Sequence, residues 1–229
     1  MMRLLLATLS CAGLIFTSCL KDDPTDPEII VEPPFPIEVK LDSIQTGTLY
    51  NVTVGTSGEE VYKGLQGFTN SRGKIDYLAI TGILNTKVTD LKDRIQLYNG
   101  LILNQQPSSP LASQIYFKDN KIASIYYRNS PNKLSRWPVD ADNPLKVGDS
   151  VESIYDKLVA LQKDNRYTRF FEYIGLFEKN MNTPFDAFQK KSNLWQFSIT
   201  EDDKNFIRVD LVFENAVLIK VRSRHERYL

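Results

Sequence analysis

The chain has 229 residues, with 28 basic side chains against 28 acidic ones, a single histidine, two cysteines and 42% hydrophobic residues. That balance leaves no charge excess for nucleic acid or an anionic bilayer, so neither is expected as an electrostatic partner. One histidine and so few thiols exclude Cys/His catalysis and most zinc sites. The hydrophobic fraction is enough for one packed core or two.

Residues 1–18 read as a lipoprotein signal peptide. Arg3 gives a positive start, and the apolar run from Leu4 to Phe16 is shorter than the roughly 20 residues needed to span a bilayer. It ends in Phe16-Thr17-Ser18-Cys19. This resembles a bacterial lipobox, which implies cleavage before Cys19 and acylation of its sulfur. Cys11 lies in the segment that would be removed, so Cys19 would remain alone and no internal disulfide is expected. Lys21, Asp22 and Asp23 follow directly. They resemble the export signals of surface lipoproteins in some Gram-negative lineages, which implies an outer-membrane, cell-surface location. Residues 19–40 as a whole read as a tether. Pro24, Pro27, Pro33, Pro34 and Pro36 disfavour helix, and acids outnumber bases.

The rest of the chain is organised around a stretch present twice. Val54-Gly55-Thr56-Ser57-Gly58-Glu59-Glu60-Val61-Tyr62-Lys63-Gly64-Leu65 is echoed at an offset of 93 by Val147-Gly148-Asp149-Ser150-Val151-Glu152-Ser153-Ile154-Tyr155-Asp156-Lys157-Leu158. Each copy predicts a helix start, with Thr56 or Asp149 as N-cap and Glu59 or Glu152 completing a capping box. Two further blocks repeat in the same order. Asn85 to Leu91 is echoed by Asn182 to Phe188, where Thr183 and Pro184 predict a second short helix. Phe117 to Ile122 is echoed by Phe213 to Leu218, and both read as strand, polar turn, strand.

These blocks predict two tandem α+β units, at 41–129 and 147–229, joined by a proline-containing linker at 130–146. Each unit is expected to place two helices on one face of its own three- to four-stranded antiparallel meander. In the first unit, strands are predicted near 94–103, 112–117 and 121–128, while 76–84 fits either strand or helix. In the second, 167–179 is equally open. There the alternation is clear: Trp195, Phe197, Ile199, Ile207, Val209, Leu211 and Phe213 should point inward, and Gln196, Ser198, Arg208 and Asp210 outward.

Gly55 to Leu65, Gly148 to Leu158, Trp195 and the Phe213-Glu214-Asn215 turn together resemble the β-lactamase-inhibitor-protein fold, a tandem duplication. They also resemble the related small outer-membrane assembly lipoproteins of the BamE/SmpA type. The resemblance implies a non-enzymatic binding module whose sheets dock a protein partner. The inhibitor's disulfides are missing here, so its functional residues do not carry over.

No catalytic residue, metal ligand or cofactor site is predicted. His225 reads as a residue of the C-terminal tail, Asp140-Ala141-Asp142-Asn143 as a linker turn that lacks the glycine and distant glutamate of a calcium loop, and Glu201-Asp202-Asp203 as a hairpin tip. The candidate binding face is Tyr98, Tyr116, Tyr126, Tyr127 and Arg208, on strands whose outward side chains suit protein or glycan contacts. The expected partners are the membrane, through N-terminal acyl chains, and an unidentified protein. A periplasm-facing assembly lipoprotein and a surface glycan-binding accessory are the other readings.

Overall fold

A computed structural model describes residues 35–71, 74–106, 112–127 and 130–229. In chain order the elements are β1 (Glu38–Ile44), β2 (Thr48–Leu49), β3 (Val52–Thr53), α1 (Gly58–Ser71), β4 (Ile75–Ile80), β5 (Tyr98–Asn104), β6 (Ser113–Lys118), β7 (Lys121–Tyr127), β8 (Lys133–Leu134), β9 (Arg136–Trp137) and β10 (Leu145–Lys146). They continue with α2 (Val151–Lys163), β11 (Tyr173–Lys179), β12 (Leu194–Thr200), β13 (Asn205–Glu214) and β14 (Val217–Arg227). The long strands make two five-stranded antiparallel sheets, ordered β1-β14-β13-β12-β4 and β11-β5-β6-β7-β8.

The expectation of two units, each with two helices on its own sheet, is overturned. The described residues are mostly strand and contain two α-helices. Where second helices were expected there are 3-10 turns, at Val88–Leu91 and Ala187–Lys191. So short a run gains too few backbone bonds to offset the cost of nucleating an α-helix. Thr183 does not cap the second turn. Its hydroxyl donates to the carbonyls of Asn180 (2.7 Å) and Leu97 (3.2 Å), and Asp186 forms the cap with Gln189.

Nor does each helix cover the meander that follows it in sequence. Helix α1 buries Val61, Tyr62, Leu65 and Phe68 against Leu78 of β4 and Trp195, Phe197, Val209, Leu211 and Val221 of β12–β14. Helix α2 buries Ile154, Leu158 and Leu161 against Leu101, Ile115, Ile122 and Ile125 of β5–β7. The two segments are therefore crossed. Backbone hydrogen bonds at the helix starts fix the crossing. Gly55 N–H donates to Leu218 O (2.8 Å), Leu218 N–H to Thr56 O (2.9 Å) and Gly58 N–H to Ala216 O (3.1 Å). In the other helix start, Gly148 N–H donates to Ile122 O (2.9 Å), Ile122 N–H to Asp149 O (2.9 Å) and Val151 N–H to Asn120 O (3.0 Å). Gly55 and Gly148 hold φ of 95° and 93°, in the left-handed region that favours glycine.

The caps lie one residue later than the spacing predicts. The Ser57 hydroxyl accepts from Glu60 N–H at 3.3 Å, and Glu60 Oε2 accepts from Ser57 N–H at 3.0 Å. The Ser57 N–H, and the Ser57 hydroxyl at 2.9 Å, donate to Oε2 and hold the Glu60 carboxyl below its usual range. Ser150 is the N-cap residue of α2. Asp149 instead accepts from Lys146 N–H (2.7 Å) and Lys157 Nζ (2.6 Å), tying the turn to the helix.

Residues 130–146 are more than a linker. Trp137 and Leu145 are fully buried in the α2 core, and Trp137 meets Phe170 edge-on at 5.6 Å. Prolines mask this in the sequence, but two large apolar side chains are worth burying whatever surrounds them. Residues 38–40, expected to close the tether, are strand instead, because β1 starts at Glu38 and pairs with β14. The seven side chains predicted to point inward in β12 and β13 are all buried, as the alternation requires.

Candidate binding faces

With a helix over one face of each long sheet, the opposite faces carry the outward side chains. On the first sheet these form a cross-strand ionic network. Glu226, with a side chain only 4% exposed, forms ion pairs with Arg208 (Oε2 to Nε, 3.1 Å) and with Arg224 (Oε1 to Nε, 2.6 Å). Tyr228 OH donates to Glu226 Oε2 at 3.0 Å. One position along, Asp210 accepts from Gln196 Nε2 and Arg222 (2.9 Å each). A groove of about 580 Å³ runs over this network, lined also by Leu41, Tyr77 and Lys220.

On the second sheet the outward face is aromatic. Phe177 of β11 lies flat over Gly100 of β5, where a Cβ would come within 2.1 Å of the ring. Phe177 meets Tyr116 of β6 at 5.1 Å and 76°, and Tyr116 meets Tyr126 of β7 at 5.9 Å and 90°. Both are favourable edge-to-face pairs. Tyr116 and Tyr126 also line a groove of about 480 Å³ with Gln114 and Lys118.

The expected face is thus split. Tyr116 and Tyr126 are brought together, whereas Arg208 belongs to the other sheet. Tyr127 sits opposite Ser113 and packs against the α2 core. Tyr98 is buried at 3% exposure and has no place on a surface. Its hydroxyl donates to Asp186 Oδ2 at 2.7 Å, and burial beside that carboxylate raises its pKa. Asp186 also accepts from Arg94 Nε at 2.9 Å. Arg94 in turn donates to Asn85 Oδ1 (3.1 Å) and lies over the Phe188 ring. Beside them, Lys179 is buried with its ammonium bonded to Thr183 Oγ1 and to Asn180 O (3.2 Å), and lies over the rings of Tyr62 and Tyr98. Burial lowers its pKa to about 8. This polar cluster joins residues from both halves of the chain.

Cys19, Lys21, Asp22 and Asp23 lie outside the described residues. His225 belongs to β14 rather than to a tail, opposite Lys40 of β1. Asp142 is fully exposed, 3.9 Å from Arg166.

Sequence reasoning missed Phe177, Gly100, Arg222, Arg224 and Glu226. The alternation Lys220, Arg222, Arg224, Glu226 in the last strand was a readable period-two signal. The Phe177–Gly100 pairing was not readable, because it depends on which strands become neighbours. No protein-family model, curated protein or solved structure matches the chain.

Proposed function

We propose that the chain is a lipid-anchored outer-membrane protein, carried at the cell surface, that performs no chemistry and holds a protein partner against its helix-free sheet faces. Cys19 carries the acyl anchor, residues following it act as a tether, and Lys21, Asp22 and Asp23 direct the chain to the outer leaflet. The observation that carries the binding reading is the row Phe177–Tyr116–Tyr126 on the open face of the second sheet. Half-buried aromatic side chains locked by their neighbours supply contact area at little entropic cost and are enriched at protein interfaces. Successive rings stand at 76° and 90° to one another. They make a ridged surface rather than the flat run of ring faces on which a saccharide chain would stack, which favours a protein partner over a glycan.

The test is a photo-crosslinking residue at Gln114, on the aromatic face, in intact cells. A single adduct of discrete mass is expected, abolished by Tyr116→Ala with Tyr126→Ala. An adduct indifferent to both tyrosines, or one equally formed from exposed Lys63 of α1, would overturn the reading.

A further inference from the structure

The ionic face of the first sheet carries a partner assignment of its own. Arg208 and Arg224 stand directly opposite each other on β13 and β14. Two like charges at such a pair repel and destabilise a sheet unless something neutralises them. The carboxylate beside them is Glu226, and it engages each guanidinium through Nε. Their terminal NH groups make no hydrogen bond among the described residues, Glu226 is the ion-pair partner of each guanidinium, and both side chains are at least half exposed. Lys220 adds a further cation, and the Arg222–Asp210 pair is neutral. The groove therefore sets Arg208, Lys220, Arg222 and Arg224 against Asp42, Asp210 and the buried Glu226, an excess of one positive charge, with the cations gathered on β13 and β14. Glu226 thus gathers two half-exposed guanidiniums around one carboxylate.

We propose that this groove binds an acidic segment of the protein partner, with a carboxylate of that segment held by the outer NH groups of Arg208 and Arg224. Paired guanidinium forks match carboxylate oxygens in geometry as well as charge. The flanks decide for a polypeptide. Leu41, 72% exposed on β1, and Tyr77, exposed on β4, stand at the two sides of the groove, offering aliphatic and aromatic contact beside the charged floor. A peptide that carries both acidic and apolar side chains meets both. The proposal rests on the binding reading given above and names the chemistry of the partner.

The test uses the full chain in detergent micelles and fluorescein-labelled eight-residue peptides, (Glu-Leu)4 and (Gln-Leu)4, read by fluorescence anisotropy. The acidic peptide should bind at least tenfold more tightly than the neutral one, and raising the salt to about 0.5 M should weaken it. Arg208→Gln with Arg224→Gln should remove roughly tenfold or more of the affinity. Arg208→Lys keeps the charge and the fold but loses the fork, and should lose several-fold. Equal binding of both peptides, an unchanged affinity in these variants, or tighter binding of a polyuronate than of (Glu-Leu)4 would overturn the proposal. Each of those outcomes leaves the crosslink from Gln114 untouched, so failure of this site and failure of the binding reading are separable.

Discussion

The open face of the first sheet is a lattice of arginines around Glu226 and Asp210, while the open face of the second is a row of aromatic rings crossing Gly100. Beneath them the two sheets follow one plan: a left-handed glycine, a helix, an edge strand and a three-stranded meander. The cores differ in texture too. Under α1 lie Trp195, Phe197 and Phe213, whereas α2 covers Leu101, Leu103, Ile115 and Ile125. The inward side chains answer to a helix and are held to apolar character. The outward ones answer only to neighbours on their own face, so two sheets of one plan are free to present different chemistry. Function, on this view, lies in the outward residues.

The largest effect is expected where the two halves join. Asp186→Ala removes the carboxylate shared by Arg94 and Tyr98, leaving a buried cation unpaired. It should cost about 3–5 kcal/mol in urea unfolding. A loss under about 1 kcal/mol would show that the joint holds nothing. Next are the helix anchors. Leu65→Ala and Leu158→Ala, both at fully buried positions, should each cost about 2–5 kcal/mol. Because each helix is packed on the other segment's meander, both variants should still unfold in a single transition. Two resolved transitions would break the picture of crossed halves.

A pH series sharpens the role of the joint. Burial lowers the Lys179 pKa to about 8 from 10.5. Between those values the unfolded chain binds a proton that the folded one does not, so stability rises with pH. The contribution is fully present above the unfolded pKa and is lost as pH falls through 8. From pH 8 to pH 10 the gain should be about 2 kcal/mol, and Lys179→Met should flatten it. Above pH 10 an opposing effect begins, because burial raises the Tyr62 phenol to about 12. The stability from that phenol is complete below pH 10 and is lost as pH rises through 12.

The smallest effect separates the two helix starts. The Ser57 hydroxyl accepts from Glu60 N–H, but Ser150 makes no capping bond through its side chain. Ser57→Ala should cost about 0.5–2 kcal/mol in thermal or urea unfolding. Ser150→Ala should cost measurably less, and equal losses would contradict the difference between the caps.

Much of the local structure was legible in the residues. Apolar alternation from Trp195 to Phe213 identified two strands and their buried faces, because a strand turns successive side chains to opposite sides regardless of its partners. The glycine and hydroxyl pattern marked both helix starts to within a residue, since capping is a contact between near neighbours. Arg208 was expected to face outward and its side chain is exposed, while the alternation did not say which of the strand tyrosines would do so. Four features were decided by tertiary structure alone: the crossing of helices and meanders, the burial of Trp137 and Tyr98, the flat seat of Phe177 on Gly100, and the sharing of Glu226 by two arginines. Each depends on which distant strands become neighbours. Any meander with apolar alternation offers a helix an acceptable surface, so a pattern local to one segment is the same whether its helix packs at home or across. The choice is made by the whole set of contacts, among them the Gly55–Leu218 and Gly148–Ile122 bonds and the Arg94–Asp186 pair, which form only once the distant segments meet.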